Sequence, residues 1–367
     1  MTWRYIAQSI PSGEFIDWDL PLTGVQLTRT LSGPGRLTGT IPVEVARLVG
    51  PDGQPVLQPW GTAVWAEADG QIRGGGILTP LDLDGPTLAV DCVGISGYPQ
   101  GMPWTGDAQA LIDVDPLDVV RQIWAHLQSY PAGDLGVVVD PTTSPVRVGE
   151  PERDVSFTTG GGADVEFQTG PFRLEWWSTH DLGSVIDDLA ADTPFDYLEH
   201  TAWDGDDLVH RLQLGHPAIG TRRPDLRFAI GENVTVAPAL AADDDDYASD
   251  VLALGAGEGK AMVRAQLHRE GASLRRVHVY TDKTARTTTT LANAARRELD
   301  WLTGRGRLTT LTVADHPHAR LGSFDVGDEI PIVGRAGWVD LDTWGRVIEL
   351  VIEPEQSDRM TVTLQEV

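Results

Sequence analysis

The first hundred positions of the chain predict short strands with turns between them. Apolar and polar residues alternate over residues 36–43, and residues 62–68 and 71–78 form two further runs separated by Asp69-Gly70. An Asp-Gly pair supplies the positive φ values of a type I′ turn, so the two runs predict a β-hairpin. Another strand is predicted over residues 87–93. Regular short strands with turns between them are typical of a barrel or sandwich.

Three later segments carry apolar residues at helical spacing. In the first, Asp115 is a suitable N-cap and Pro116 suits the first helical position. The apolar stripes are Leu117, Val120, Trp124 and Leu127; Leu182, Val185, Ile186 and Leu189; and Leu291, Ala295, Leu299 and Leu302. Each stripe predicts an amphipathic helix with one buried face. Because predicted strands at 172–177 and 195–198 flank the second helix, residues 172–200 are expected to form a small α/β unit.

The pattern returns to strands near the end, at residues 329–333, 346–352 and 359–365. The predicted fold class is therefore mixed α+β and β-rich, with two β-barrel-like domains and a small α/β domain inserted between them. The predicted ranges are 1–104 for the N-terminal β-barrel-like domain, 105–240 for the inserted α/β region with an extended loop at 140–170, and 241–367 for the C-terminal β-rich domain with one helix at 288–303.

Composition narrows the classes of function. The 367 residues include 54 acidic and 28 basic ones, a formal net charge of -26, which argues against specific binding of the nucleic-acid backbone. Cys92 is the only cysteine, so no disulfide framework exists and folding in a reducing cytoplasm is expected. The N-terminus lacks an apolar signal core, and no run approaches the ~20 apolar residues of a membrane span. Membrane insertion by this chain is not expected.

Two glycine-containing motifs come close to catalytic signatures but miss a required position. The segment 255–260 resembles a phosphate loop, yet Leu254 stands where its first glycine belongs and Ala261 where its magnesium-binding hydroxyl belongs. A glycine-rich hairpin or bulge is the favoured interpretation. Residues 94–98 miss the nucleophile elbow because Tyr98 replaces its last glycine, so Ser96 is interpreted as a turn serine. No catalytic or cofactor-binding residue is predicted, and the chain is not expected to be an enzyme.

Two segments contain side chains of the types that bind metal ions. His316 and His318 stand at strand spacing, but Pro317 between them suits a turn and no third ligand is spaced nearby in the sequence. The run Asp243–Asp246 lacks the ligand spacing and central glycine of a dedicated calcium loop. The sequence therefore predicts no metal site, and whether the acidic run binds a cation stays open.

The chain contains twelve tryptophans, which say more about its function than these motifs do. Large aromatic residues are enriched at protein interfaces, and Trp104, Trp176 and Trp177 are the interface candidates. Because Trp176 and Trp177 are adjacent on the predicted strand 172–177, they are expected to face opposite sides, with one buried and the other on a surface or interface. Ordinary core packing is the alternative for most of the twelve.

Motifs in a shared order along most of the chain carry a family resemblance. They are residues 31–39 (LSGPGRLTG), 60–67 (WGTAVWAE), 72–77 (IRGGGI), 97–104 (GYPQGMPW), 115–124 (DPLDVVRQIW), 193–197 (TPFDY), 228–233 (FAIGEN) and 323–330 (SFDVGDEI). The chain resembles the minor tail proteins of long-tailed phages (siphoviruses) that infect actinobacteria, the group that builds the tail-tip hub, or baseplate hub.

This resemblance implies a structural virion protein. The resemblance implies a homotrimer, a threefold ring in which each chain contributes two β-barrel domains. This ring is expected to close the tail tube around a channel for genome ejection. The implied partners are the tail tube or distal tail protein above, the tape measure protein, and other minor tail proteins below. The implied location is the virion tail tip, after synthesis and assembly in the host cytoplasm. Some hubs carry a C-terminal peptidase or muramidase; none follows Val367, so wall degradation is not expected.

The acidic excess suggests what such a channel contains. Basic side chains would bind phosphate and stall the DNA, so an acidic or neutral lining is expected. The channel-lining candidates are Glu67, Asp69, Asp82, Asp84, Asp325, Asp328 and Glu329. The alternative for these residues is solvation of the outer face. The alternative for the whole chain is a tail component that binds or cleaves host cell-wall carbohydrate through exposed tryptophans and acidic residues.

Overall fold

The computed structural model describes most of the chain. The described residues are 2–10, 12–45, 48–50, 53, 55–79, 81–84, 86–158, 164–236, 240–241, 248–257, 259, 262–270, 274–283, 285, 288–303, 307–308, 310–337, 339–356 and 359–366. None of the helices among them is long and apolar enough to cross a membrane.

Eight strands occupy the N-terminal part of the chain. They are β1 (Trp3–Ser9), β2 (Phe15–Asp17), β3 (Thr23–Thr30), β4 (Arg36–Pro42), β5 (Thr62–Ala68), β6 (Gln71–Leu78), β7 (Asp82–Asp84) and β8 (Thr87–Val93). The predicted hairpin is confirmed, because β5 and β6 pair antiparallel across Asp69 (φ 52°) and Gly70 (φ 75°). The strand predicted at 87–93 is β8, with the same bounds.

Helices and strands mix in the middle of the chain. The elements are β9 (Gln109–Leu111), α1 (Pro116–Gln128), β10 (Val137–Val139), β11 (Arg153–Thr158), β12 (Asp164–Thr169), β13 (Phe172–Leu174), α2 (Leu182–Asp192), β14 (Asp196–Asp204) and β15 (Asp207–Gly215). The predicted start of α1 is confirmed, since the Asp115 carboxylate accepts a hydrogen bond from the Leu117 N–H at 2.9 Å.

Strands predominate again in the remainder. The elements are β16 (Phe228–Ala229), β17 (Val234–Val236), β18 (Leu240–Ala241), β19 (Asp250–Leu254), β20 (Arg264–His268), β21 (Val277–Thr281), α3 (Thr288–Thr303), β22 (Arg307–Leu308), β23 (Thr310–Val313), β24 (Glu329–Ala336), β25 (Val339–Glu353) and β26 (Arg359–Glu366).

The two ends of the chain build one sheet. Its strand order is β17-β23-β26-β25-β3-β4-β8-β6-β5-β1-β2, and β24, β16 and β7 pair at its sides. The halves join where β25 pairs antiparallel with β3, so that Ile352 lies opposite Leu27. Leu27, Leu37, Ile352 and Val362 belong to one buried cluster that spans both halves. The predicted β-rich class is confirmed, and the path of described strands is open at both ends rather than closed.

The inserted α/β unit lies against the other face of this sheet. Helices α1 and α2 pack with β14 and β15 around Trp124, Leu182 and Tyr197, and this cluster also contains Ile6 from β1 and Trp65 from β5. A strand can contribute to two cores in this way because successive side chains point to opposite faces. The second layer is therefore anchored on strands of the N-terminal half.

A third core lies apart from these two. Helix α3 covers the small sheet β20-β19-β21, and its predicted face is confirmed, since Leu291, Ala295, Leu299 and Leu302 are all buried. The ranges 1–104, 105–240 and 241–367 stay a prediction of how the chain divides. The buried clusters group the chain by contact instead, with residues 248–302 in a cluster of their own.

Two stretches differ from the expected elements. Strand β13 ends at Leu174, and Trp176 and Trp177 lie in the following turn rather than on the strand. The stretch 140–170 contains an antiparallel pair, β11 and β12, rather than only an extended loop. In the sequence, Val155 and Phe157 already alternate with polar residues, which is the pattern of a strand. The acidic run 243–246 lies outside the described residues.

Candidate functional site

A carboxylate from the inserted unit binds backbone N–H groups of the main sheet. Glu199 of β14 accepts hydrogen bonds from the Gly35 N–H at 2.9 Å and from the Ser96 N–H at 2.8 Å. Burial raises the pKa of the Glu199 carboxyl, while these two N–H donors and the charge of Arg29 oppose the rise. The side chain acts as a clasp between β14 and the two loops that flank β4 and β8, and we call it the Glu199 clasp.

The clasp explains the glycine-rich segment around Ser96. A Cβ atom added at Gly94 would lie 1.9 Å from Glu199 Oε1, so a side chain there would displace the carboxylate. Residues 95–97 form a 3₁₀ turn, and Ser96 is buried with no hydrogen-bond partner for its Oγ among the described residues. The Ser96 N–H donates to Glu199 Oε2 at 2.8 Å, so the Ser96 backbone has a structural role.

A second contact ties the inserted unit to the C-terminal half. Arg346 of β25 forms an ion pair with Asp196 at the start of β14 and donates to the Ile219 carbonyl at 2.9 Å. The Ile219 N–H in turn donates to Asp196 at 2.9 Å. Both charged side chains are largely buried, at 18% and 15% exposure, so removing one partner would leave an uncompensated charge.

A cleft of about 460 Å³ opens where the inserted unit meets both halves of the sheet. It is lined by residues 70–73 of the β5–β6 hairpin, residues 200–203 of β14, residues 321–325 of the loop before β24, and Arg29, Arg223, Asp328, Leu350 and Ile352. Three arginines and two aspartates thus face one space.

Ion pairs neutralise most of the charge in this cleft. Arg29 makes two hydrogen bonds to Asp325, at 2.8 and 2.6 Å, and Arg223 lies 3.4 Å from Asp328. Asp328 also accepts the Thr221 N–H at 2.9 Å. Arg73 is the exception, because its Nε is buried without a partner among the described residues. Burial lowers the pKa of Arg73 from its ordinary value.

The predicted channel-lining acids fall into different environments. Asp325 and Asp328 come together in the cleft, Glu67 of β5 pairs with Arg4 at 2.6 Å, and Glu329 lies 3.7 Å from Arg222. Asp69 and Asp82 are exposed, and no ion pair joins either to another described residue. Asp84 ends β7, and its side chain lies outside what the structure describes.

The three interface candidates also differ. Trp104 is 3% exposed, stacks on His126 at 4.0 Å between ring centroids, and donates its Nε1–H to the Asp107 carbonyl. Trp176 and Trp177 are 61% and 52% exposed, with their rings edge to face at 5.1 Å. The expectation that one of these two is buried was wrong, because the chain has already left β13 and no strand alternation applies.

A further aromatic surface contains Phe15, Trp18 and Trp203. Trp18 is 46% exposed, and its ring lies 4.5 Å from that of Phe15 and nearly parallel to Trp203 at 6.1 Å. The Arg4 guanidinium lies over the Trp18 ring at 5.5 Å. Phe15 and Trp18 lie close together in the sequence, whereas Trp203 is brought beside them only by the tertiary fold.

The structure gives His316 and His318 a third potential ligand. His318 Nδ1 lies 3.2 Å from Glu232 Oε1, a residue 86 positions earlier in the sequence. The potential ligand atoms of Glu232, His316 and His318 all lie within 4.8 Å of one another. No spacing rule could have found Glu232, because it reaches the histidines from another turn of the fold.

The glycine-rich segment 255–260 connects antiparallel β19 and β20. A phosphate loop opens a helix, and here the next regular element is a strand. The hairpin interpretation is confirmed.

Comparisons with known proteins add a whole-chain likeness of fold. No protein-family model matches the sequence, and no curated protein matches it. Among solved structures, the 43 kDa tail protein of prophage MuSo2 from Shewanella oneidensis superposes with a TM-score of 0.59 at 13% identity, covering 99% of this chain and 98% of that one. The chain has the fold of phage tail proteins. The tail protein from Neisseria meningitidis MC58 gives 0.55 at 13% identity over 100% and 97% of the two chains. Prophage tail protein gp18 from Listeria monocytogenes EGD-e gives 0.53 at 12% identity over 98% and 94%.

Proposed function

We propose that this chain is a structural component of a phage tail, a minor tail protein that forms the hub ring at the tail tip. The observation that carries the proposal is the likeness of fold to phage tail proteins over nearly the full length of both chains. The sequence motifs of tail-tip hubs, in shared order, support the finer assignment to the hub of an actinobacterial siphovirus. The ring closes the tail tube and connects it to the distal tip proteins.

A homotrimer is the proposed assembly. Both ends of the chain contribute antiparallel strands to one sheet that joins at β3 and β25, which provides two neighbouring β regions in each protomer. Two β regions in each of three chains present six surfaces, which match a sixfold tube at threefold symmetry. The partners are then the tail tube or distal tail protein above, the tape measure protein, and minor tail proteins below.

The exposed Trp176–Trp177 pair is the proposed contact for such an assembly. Tryptophan is enriched among interface residues that contribute most to binding, and these two rings project from a turn without burial in their own chain. The turn is held in place, because Glu175 accepts a hydrogen bond from Ser178 Oγ at 3.0 Å and its N–H donates to Thr179 Oγ1. Trp104, which is buried, is not part of this contact.

An acidic channel for genome ejection is proposed with a narrower set of residues. Asp69 and Asp82 are exposed acids without an ion pair to another described residue, although the charge of Asp69 acts on Arg73, whereas Glu67, Asp325, Asp328 and Glu329 pair with arginines. Free carboxylates repel the DNA backbone, and ion-paired ones contribute little to that field. We therefore propose Asp69 and Asp82 as the residues that make the lining acidic.

The alternative function, carbohydrate binding on the host wall, has one observation in its favour. The exposed Trp18 ring lies nearly parallel to Trp203, at an interplanar angle of 13°, and a flat aromatic surface is the kind on which sugar rings stack. No observation on the described residues favours carbohydrate cleavage. Binding of the purified chain to a glycan array separates the two functions.

Deletion and labelling of the particle test the proposal. A phage that lacks the gene is expected to make heads but no complete tails, and a plasmid copy is expected to restore them. Antibody labelling in electron micrographs is expected at the tail tip. Normal tails in the deletion, or label on the head, would contradict the proposal, and tails that assemble but fail to adsorb would favour the carbohydrate-binding function.

A further inference from the structure

Two turns of the fold bring two imidazoles and a carboxylate together at one edge of the main sheet. Glu232 lies in the turn between β16 and β17, and His316 and His318 lie in the turn after β23. We propose that Glu232, His316 and His318 bind a divalent transition-metal ion, with Zn²⁺ as the ion that best fits the ligands. We call this set the His-Glu cluster.

The turn that carries the histidines is fixed by its own hydrogen bonds. Asp315 accepts the Leu321 N–H at 2.8 Å, and the Ala319 N–H donates to the His316 carbonyl at 2.8 Å. His316 Nδ1 accepts the His318 N–H at 3.3 Å, so neutral His316 carries its proton on Nε2, and metal binding at Nδ1 replaces this long hydrogen bond with a coordinate bond. Asp315 is thus a turn-forming residue and not a fourth ligand. A rigid turn reduces the conformational entropy that metal binding would otherwise cost.

The turn that carries Glu232 is fixed as well. Asn233, which is 1% exposed, accepts the Ala229 N–H and donates to the Arg227 carbonyl, both at 2.7 Å. The Arg227 N–H donates to the His318 carbonyl at 3.1 Å, so the two turns are bonded directly to each other. The backbone positions that carry the three ligands are therefore fixed relative to one another without a metal ion.

The Glu232 carboxylate has one oxygen for each neighbour. Arg227 Nη2 lies 3.8 Å from Oε2, and His318 Nδ1 lies 3.2 Å from Oε1. The guanidinium lies on the Oε2 side of the carboxylate, and Oε1 faces His318. Metal binding exchanges the Glu232–His318 hydrogen bond for two coordinate bonds, and the proton on His318 Nδ1 moves to Nε2 through solvent.

The ligand types select the metal. Two histidines and a glutamate form the protein part of many zinc sites, with Zn–N and Zn–O bonds of about 2.0–2.2 Å and water in the fourth position. Calcium and magnesium prefer oxygen ligands only, so they fit poorly. The ligand atoms, now within 4.8 Å of one another, reach bonding distance by small side-chain rotations because Glu232 and His318 are exposed and His316 is half-buried.

A bound ion would join the two turns at the edge formed by β17 and β23, which pair antiparallel. An ion that binds the folded chain and not the unfolded one raises stability in proportion to the logarithm of its concentration over Kd. The site therefore stabilises the end of the sheet that lies farthest from β2 in strand order.

Zinc titration of the full chain after EDTA treatment and dialysis tests the proposal. We expect calorimetry to show one Zn²⁺ per chain and thermal unfolding to shift upward with zinc. His316→Ala, His318→Ala and Glu232→Gln are each expected to weaken zinc binding by about tenfold or more, since each removes one of three ligands. The control is His180→Ala, which removes an exposed histidine outside the cluster.

Because the cluster side chains are at the surface, the variants are expected to fold, which circular dichroism in EDTA verifies. The proposal is overturned if the wild-type chain binds no zinc, or if the cluster variants bind it as tightly as the His180→Ala control. Equal affinity for calcium and zinc would also overturn it, because a site with two imidazole ligands is expected to prefer zinc.

Discussion

The Glu199 carboxylate accepts a hydrogen bond from the Ser96 N–H at 2.8 Å and joins parts of the chain that are 103 positions apart. The same carboxylate accepts a hydrogen bond from the Gly35 N–H, so one side chain satisfies backbone donors from two loops of the N-terminal half. Buried N–H groups without a partner are costly. The glycines beside Ser96 are therefore best understood as the space that this carboxylate requires.

Replacing Glu199 tests the clasp. Glu199→Ala leaves two backbone N–H groups without their acceptor and is expected to lower the free energy of unfolding by about 2–4 kcal/mol. Glu199→Gln keeps one carbonyl oxygen and is expected to cost less. Urea unfolding measures the free energy of unfolding of both variants and shows which loses more. Glu14→Gln, at an exposed position, is the control. Equal stability of wild type and Glu199→Ala would show that the clasp is unimportant.

Gly94→Ala tests the same contact from the other side. Gly94 has φ -57° and ψ 159°, which alanine tolerates, so the only obstacle is the 1.9 Å approach of the new Cβ to Glu199 Oε1. The substitution is expected to cost about 2 kcal/mol in the wild-type chain and under about 1 kcal/mol in a Glu199→Ala background, a non-additivity typical of contacting residues.

Gly170→Ala is the matched control for this cycle, because a Cβ there meets nothing within 4 Å. Its expected effect is within about 0.5 kcal/mol. If the Gly94→Ala cost were the same in both backgrounds, the clash with Glu199 would not be its cause.

Protonation of His210 is expected to lower the stability of the folded chain in mild acid. Burial lowers the pKa of His210 to about 4, and its ring stacks on Trp65 at 4.9 Å. The unfolded chain takes up this proton near pH 6.5, so the stability contributed by neutral His210 is present above that pH and is lost as pH falls toward 4. The expected loss is roughly 1–3 kcal/mol.

Thermal unfolding between pH 7 and 4.5 measures this loss against a His210→Gln variant, whose profile is expected to be flatter. A titration of the His210 ring by NMR checks the pKa directly. A ring that titrates near pH 6.5 in the folded chain would contradict the prediction.

The exposed tryptophans predict a change in assembly. Trp176→Ala with Trp177→Ala is expected to weaken self-association by about 2 kcal/mol or more, about thirtyfold, as is usual when interface tryptophans are truncated. Mass photometry should then show monomers of 39.7 kDa at concentrations where the wild-type chain is trimeric. Trp18→Ala, an exposed tryptophan of another surface, is the control. An unchanged trimer in the double variant would place the interface elsewhere.

Local signals predicted the elements well where sequence and packing agree. The Asp69-Gly70 turn, the Asp115 cap and the apolar face that includes Leu291 each have a short-range physical cause, and each is confirmed. Trp176 and Trp177 were misplaced because a run of strand-forming residues does not show where pairing with β9 stops. Strand ends depend on the partner, which is set by the tertiary fold.

Contacts between distant segments account for what the sequence could not show. Glu199, Arg346 and Glu232 each act on residues more than 80 positions away, and no periodicity or spacing marks them. The pairing of β3 with β25, which makes one sheet from two predicted β regions, is of the same kind. Acidic residues proposed for a channel were chosen by charge alone, and the structure shows that four of them lie beside arginines.

The most direct test of the central claim is a cryo-electron microscopy reconstruction of the phage tail. The account predicts three copies of this chain around the tail axis at the tip, with Trp176 and Trp177 at a protein interface and Asp69 and Asp82 facing the channel. A tip that contains one, two or six copies, or a tail in which this chain is absent, would contradict it.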